Sequence, residues 1–366
     1  MKVDGTHYRS LWYDHDEAVL KIIDQRWLPH KFVVQAVPTL EDYAAAIKEM
    51  RVRGAPLIGA TAAYGVAHQM GKDASDASLD HARDVLIQTR PTAINLKWAL
   101  DRCQAHLAPL APSDRATAAL QLAHDISDED VEINRMIGVH GLDLIRKIAA
   151  DKADGEPVRI LTHCNAGWIA TVDWGTATSP MYQAHDAGIP VHIWVGETRP
   201  RNQGVLTAWE LGHHGVPHTY LTDNAGGHLM QHGQVDMVLV GVDRATRQGD
   251  ICNKIGTYLK ALAAHDNDIP FYAALPSPTI DWTVRDGIAE IPIEERDHRE
   301  TTHIWGRNDE GNVEQVQVSP DGTPAGNPAF DVTPARLVTG LITERGIAKA
   351  NEEDMLRLFS EHREAV

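Results

Sequence analysis

Asp236-Met237-Val238-Leu239-Val240-Gly241-Val242-Asp243-Arg244 is an apolar run of strand length that ends in a carboxylate. It is followed by Gly249-Asp250-Ile251-Cys252-Asn253-Lys254-Ile255-Gly256-Thr257-Tyr258, read as a loop that delivers Asn253 and Lys254 to the start of a helix. In an open α/β sheet ligands bind where strand carboxyl ends and helix amino ends converge. The rest of the chain is read outward from that point.

On both sides of this run the pattern repeats. Strand-like segments occur at Val158-Arg159-Ile160-Leu161-Thr162, Val191-His192-Ile193-Trp194-Val195, His218-Thr219-Tyr220-Leu221-Thr222 and Phe271-Tyr272-Ala273-Ala274-Leu275. Helix-compatible segments lie around Pro180 to Ala187, Leu206 to His213, Gly227 to His232 and Gly256 to Ala264. Strands alternating with helices imply a parallel sheet with right-handed crossovers, hence a Rossmann-like domain. The residues after the strands carry chemistry: His163-Cys164-Asn165-Ala166-Gly167, then Gly196-Glu197-Thr198-Arg199-Pro200-Arg201-Asn202-Gln203-Gly204, Asp223-Asn224-Ala225-Gly226 and Asp243-Arg244. Such a set of strand ends points to one shared ligand site. No Gly-x-Gly-x-x-Gly follows the first strand, so a dinucleotide is not indicated.

Cys164 reads either as an inert buried thiol or as a reactive group presented at a strand end. Asp243 reads either as a turn cap or as a buried carboxyl whose raised pKa holds a proton for donation. His213, His214 and His218 span a helix end, a turn and a strand start without convergent spacing, so they read as ordinary polar side chains rather than metal ligands.

The amino-terminal half differs. Residues from His7 to Phe32 suggest a small sheet of short strands. Behind Thr39 as a cap, Leu40, Tyr43, Ala44, Ile47 and Met50 fall at helical spacing. In Arg51-Val52-Arg53-Gly54-Ala55-Pro56, Pro56 suits a helix start, which leaves Arg53 and the amides of Gly54 and Ala55 at its positive end. That arrangement serves as a phosphate cradle or as a plain interhelix turn. Arg90-Pro91-Thr92-Ala93 reads as opening another helix, running to about His106, with Arg90 beside its start. Ala105 to Arg146 reads as further helices broken at Pro109 to Ser113, with Asp125 through Glu132 as solvated surface. The Ala153-Asp154-Gly155-Glu156-Pro157 cluster is the best boundary, dividing a mainly helical domain with short strands (1–153) from a Rossmann-like catalytic domain (154–366).

Composition narrows the function classes. With 34 Lys plus Arg against 51 Asp plus Glu, the chain carries a formal net charge of -17, which disfavours nucleic-acid and anionic-membrane binding. An anionic substrate therefore needs a local cluster of cations and amides. No apolar run is long enough to span a bilayer and no signal pattern opens the chain. Three cysteines, Cys103, Cys164 and Cys252, without paired metal spacing suit a reduced cytoplasmic setting.

Arg53-Gly54-Ala55-Pro56, Arg90-Pro91-Thr92-Ala93, Thr162-His163-Cys164-Asn165-Ala166-Gly167, Glu197 to Gly204, and Gly241-Val242-Asp243-Arg244 through Asn253-Lys254-Ile255-Gly256-Thr257-Tyr258 closely resemble the methylthioribose-1-phosphate isomerase family. The likeness runs from Ile23-Asp24-Gln25-Arg26-Trp27-Leu28-Pro29 to Phe330-Asp331-Val332-Thr333-Pro334 and on to Thr343. Small departures at Val242 and at Leu275-Pro276-Ser277-Pro278-Thr279 touch packing and loop shape.

The resemblance implies an isomerase of methionine salvage that converts 5-methylthioribose 1-phosphate to 5-methylthioribulose 1-phosphate. It also implies a homodimer, with kinship to the regulatory subunits of a translation-initiation exchange factor. Carried over by motif, Asp243 is the proton donor and Cys164 a base or transition-state stabiliser. Arg53, Gly54, Ala55, Arg90, Gln203, Asn253 and Lys254 hold the substrate, and no metal or organic cofactor is expected. The rivals are an isomerase of ribose 1,5-bisphosphate and a non-catalytic regulatory or scaffold protein.

Overall fold

The computed structural model describes residues 1–363. Its centre is a seven-stranded sheet in the order Gly346–Ala348, Gly340–Thr343, Phe271–Ala274, Met237–Gly241, Val158–Thr162, Val191–Gly196, His218–Leu221. Every neighbouring pair is parallel except Gly346–Ala348, which returns antiparallel on Gly340–Thr343. Because side chains alternate along a strand, Met237 and Leu239 enter the core on one face of the sheet while Val238 and Val240 enter that on the other. Burial on both faces is why these strands read as continuous apolar runs.

The chain builds outward from Val158–Thr162 in one direction, then returns to place Met237–Gly241 on its other side. Ile160 pairs with Met237 and Leu161 with Val238. That reversal is the switch point of the sheet, and it leaves a crevice between the two strand ends.

The first half is helical as expected, with helices Leu40–Lys48, Ala55–Lys72, Asp76–Ile87, Ile94–Leu107 and Pro112–Ala150 over their own core. Thr39 caps the first by accepting the Asp42 N–H. A three-stranded antiparallel sheet of Leu11–Asp14, Val19–Ile23 and Val34–Val37 supplies the short strands. Met1 and Val3 pack with Ile23 and Leu28 into the core under the parallel sheet, and the Met1 ammonium lies 2.6 Å from Asp173.

The structure corrects four details. Arg90 does not open a helix: Ala93 N–H bonds the Arg90 carbonyl in a turn, and the helix starts at Ile94. The segment after Pro112 is one helix of 39 residues, because nothing in it breaks the helical period. Within the charge run Asp125 to Glu132, Asp130 is buried, accepting the Val172 N–H at 2.7 Å and Asn134 Nδ2 at 3.0 Å; burial pushes its carboxyl up to about 7.

The fourth correction bears on the site. Asn253 and Lys254 end a strand, Ile251–Lys254, in a four-stranded sheet ordered Ile280–Asp281, Arg244–Thr246, Ile251–Lys254, Phe330–Thr333. Gly249, at φ 94°, supplies the left-handed turn between Arg244–Thr246 and Ile251–Lys254. The apparent loop is a hairpin, and the helix Thr257–Asp266 begins only after Gly256.

Candidate active site

Cys164 follows Val158–Thr162 and takes φ 64°, a left-handed conformation that a non-glycine residue adopts only when its surroundings hold it there. Asp243 follows Met237–Gly241, with its N–H bonded to the Cys252 carbonyl at 3.0 Å. The two loops touch: a Cβ on Gly241 would overlap that of Ala166, so glycine is needed for the Cys164 loop to lie against the Asp243 strand. The switch point thus sets the thiol and the carboxyl beside one another.

Gly54 begins the helix Ala55–Lys72 at φ 105°, and no side chain caps that helix start. A Cβ at Gly54 would overlap the Ala170 carbonyl, so this approach also requires glycine. An uncapped helix amino end beside Arg53 is suited to an anion. Burial pushes the Arg53 guanidinium down to about 10, which leaves it charged at neutral pH.

Gln203 precedes the helix Gly204–His214; it is buried, and its Oε1 has no hydrogen-bond partner. A buried acceptor without a partner is costly unless a ligand satisfies it. Asn253 donates to Thr257 Oγ1 at 3.0 Å, while the Lys254 ammonium lies 4.2 Å from the centre of the Phe330 ring.

All nine residues singled out from the sequence, Arg53, Gly54, Ala55, Arg90, Cys164, Gln203, Asp243, Asn253 and Lys254, line one cavity. Sequence reasoning missed Met50, Arg296 and Phe330 on its wall. Arg296 sits in an irregular segment where Glu294-Glu295-Arg296 looks like any solvated charge run. It belongs instead to a ladder: Arg90 to Glu294 at 3.4 Å, Glu294 to Arg296 at 2.9 Å, Arg296 to Glu300 at 2.8 Å, Glu300 to Arg201 at 2.7 Å.

Burial dominates the electrostatics. It raises the Asp243 carboxyl, against the opposing pull of Lys254 and Arg90 and with Glu294 assisting. It raises the Cys164 thiol, which Lys254 and Arg53 oppose. It lowers the Lys254 ammonium. A cavity lined by a carboxyl and a thiol whose pKa values burial raises, beside the guanidinium groups of Arg53, Arg90 and Arg296, favours a ligand that brings negative charge.

Cys103 and Cys252 are buried, with thiols pushed up to about 12. His214 bonds Asp186 at 2.8 Å and His218 bonds the Val216 carbonyl at 2.8 Å. Among the described residues no group of three or more His, Cys, Asp or Glu side chains could hold a metal ion.

Fold and site together define an α/β protein that takes a small anionic ligand at the switch point of a parallel sheet. The Initiation factor 2 subunit family matches residues 51–350. A methylthioribose-1-phosphate isomerase of Rhizobium meliloti is 64% identical over 99% of this chain and 100% of its own length. The crystal structure of 5-methylthioribose 1-phosphate isomerase from Pyrococcus horikoshii OT3 superposes with a TM-score of 0.83 at 38% identity, covering 97% of both chains. That of the translation initiation factor eIF-2B subunit delta from A. fulgidus gives 0.79 at 37% identity, covering 97% of this chain and 100% of the other. The chain belongs to the methylthioribose-1-phosphate isomerases within the Initiation factor 2 subunit family.

Proposed function

We infer that this chain is an aldose–ketose isomerase that converts 5-methylthioribose 1-phosphate to 5-methylthioribulose 1-phosphate in methionine salvage. The observation that carries the reading is the convergence of those nine residues on one cavity, in a chain 64% identical to an isomerase of that name over its full length.

A sugar whose anomeric oxygen is esterified cannot open its ring as a free aldose does. Opening needs a proton on the ring oxygen, which a carboxyl whose pKa is raised by burial is suited to supply; Asp243 is that donor. One hydrogen then moves from C2 to C1, and the C2 hydroxyl becomes the ketone as its proton leaves, so the proton taken up at the ring oxygen is balanced. Arg53, Arg90 and the backbone at Gly54 and Ala55 bind the phosphate, while Gln203, Asn253 and Lys254 hold sugar oxygens.

Two routes carry the hydrogen. As a base, Cys164 must first lose its proton, a loss that Lys254 and Arg53 favour. As a neutral thiol it stabilises the transition state of a hydride shift instead. Incubation with 5-methylthioribose 1-phosphate, followed by NMR, tests the activity. Solvent deuterium at C1 assigns the proton route.

Ribose 1,5-bisphosphate, with a second phosphate in place of the methylthio group, is expected to give no appreciable rate. The 37% identity to the A. fulgidus initiation-factor subunit favours one second reading, a regulatory scaffold. A scaffold needs neither Cys164 nor Asp243, and complete inactivity on all sugar phosphates would restore it. We further propose a division into 1–153 and a Rossmann-like catalytic domain 154–366, a homodimeric assembly and a cytoplasmic setting. Among the described residues no helix is long and apolar enough to cross a membrane.

A further inference from the structure

The left-handed backbone at Cys164 needs something to hold it, and two buried threonines from neighbouring segments do so. The Cys164 N–H donates to Thr198 Oγ1 at 2.8 Å, and Thr207 Oγ1 donates to the Cys164 carbonyl at 2.8 Å. Both peptide groups flanking the Cys164 Cα are therefore fixed by side chains rather than by sheet partners.

Each threonine is itself fixed. Thr207 Oγ1 accepts from Asn165 Nδ2 at 3.1 Å. Thr198, also left-handed at φ 65°, donates its N–H to Asp223 Oδ1 at 2.9 Å, and Arg199 donates to Asp223 Oδ2 at 2.8 Å. The Thr198 hydroxyl lies 3.1 Å from the Gly196 carbonyl and 3.3 Å from Nδ1 of the buried His163. His163 Nε2 is 2.8 Å from the Ile255 carbonyl, so that nitrogen carries the proton and Nδ1 is the bare acceptor. Ile255 directly follows Asn253-Lys254. The Lys260 ammonium, 3.7 Å from Asp223, completes the cluster.

We propose that Thr198 and Thr207 are positioning residues for Cys164: their hydroxyls clamp its peptide groups and aim the thiol into the cavity, and His163 ties that clamp to the Asn253-Lys254 strand end. The inference rests on the proposed role of Cys164. A clamp of this kind acts on the geometry of the reacting group and leaves the phosphate cradle at Gly54 untouched, so it changes turnover rather than substrate affinity.

The test compares Thr198→Val, Thr198→Ser and Thr207→Val with the wild-type enzyme in turnover of 5-methylthioribose 1-phosphate, each rate divided by the amount of folded protein. Thr198→Val keeps the shape and removes the acceptor; it is expected to lower kcat by about tenfold or more, with KM changed by less than about threefold. Thr207→Val follows the same pattern, and Thr198→Ser recovers kcat to within about threefold of wild type. In parallel, the rate of Cys164 alkylation by iodoacetamide is expected to change in both Val variants and to return with Ser. Val variants that keep kcat and alkylation rate within about twofold of wild type overturn the clamp. So does a Thr198→Ser variant no better than Thr198→Val, which would mean that shape rather than the hydroxyl matters. A wild-type enzyme with no turnover refutes the assigned reaction instead, and the alkylation arm still decides the clamp.

Discussion

Replacing Glu210 by Gln makes the stability of this protein less sensitive to pH, by an amount that follows from the burial of one carboxyl. Glu210, on the helix Gly204–His214, is completely buried behind the Cys164 loop, so close to the Gly167 backbone that any Cβ there would overlap its carboxyl. Its Oε2 receives a long 3.4 Å bond from the Ile169 N–H, and that bond, the Asn165 and Tyr182 side chains and the Arg53 charge all pull its pKa down without offsetting burial. Burial is the largest influence and pushes the group from 4.5 up to about 8. The folded-state pKa lies above the unfolded one, so the folded protein holds the proton more tightly. The associated stability is complete below about pH 4.5 and is lost as pH rises towards about 8. Within that window the loss is about 1.4 kcal/mol per pH unit, or roughly 2.5 kcal/mol between about pH 5 and about pH 7. No solvent-screening discount applies to a side chain with no exposed surface. Urea denaturation of wild type and Glu210→Gln at both values isolates this group from Asp130, which titrates in both proteins. The stability of the variant relative to wild type should rise by about 2.5 kcal/mol from the lower pH to the higher. A difference that stays constant to within about 0.5 kcal/mol would refute a neutral Glu210.

Asp243→Asn and Cys164→Ser should fold and bind 5-methylthioribose 1-phosphate, measured by calorimetry, yet lose turnover by about a hundredfold or more; near-normal rates in either would remove that residue from the chemistry. Because Asp243 must be protonated to act and burial raises its pKa, wild-type kcat should fall as pH rises through that raised value, while any residual rate of Asp243→Asn should lack this limb. Gly54→Ala imposes both a disfavoured φ of 105° and an overlap with Ala170, so KM should rise about tenfold or more, with lowered thermal stability; a KM within about twofold of wild type would contradict the close approach.

The parallel sheet was legible because strands buried on both faces leave an apolar signature, which Met237 to Val240 carries unbroken and Val158 to Thr162 carries around Arg159. The residues following those strands then marked the crevice. Arg296 was not legible: a guanidinium becomes a wall of the cavity only because Glu294 and Glu300 hold it there, and those contacts depend on the path of an irregular segment. Asp130 hid in a charge run because helical phase, not composition, decided which of its carboxyls turned inward. Arg90 lines the cavity, but what presents it is a turn rather than the helix start its sequence suggested.

Mistaking the Asn253-Lys254 hairpin for a loop matters most, because it changes what fixes those side chains. Asn253 pairs with Asp331 and Lys254 with Phe330 in an antiparallel register. The Asp331 carboxylate also accepts the N–H groups of Gly256 at 2.7 Å and Tyr258 at 3.1 Å, holding the start of the following helix. A one-residue slip of the Phe330–Thr333 strand would turn the Phe330 ring to the other face of the sheet and take it from the Lys254 ammonium. The Phe330-Asp331-Val332-Thr333 block therefore does for Lys254 what the threonine clamp does for Cys164. It lies some seventy residues downstream of the groups it positions, so local sequence spacing alone carries no sign of it. Periodicity exposes which strands carry reactive groups, whereas the aim of those groups depends on long-range pairing.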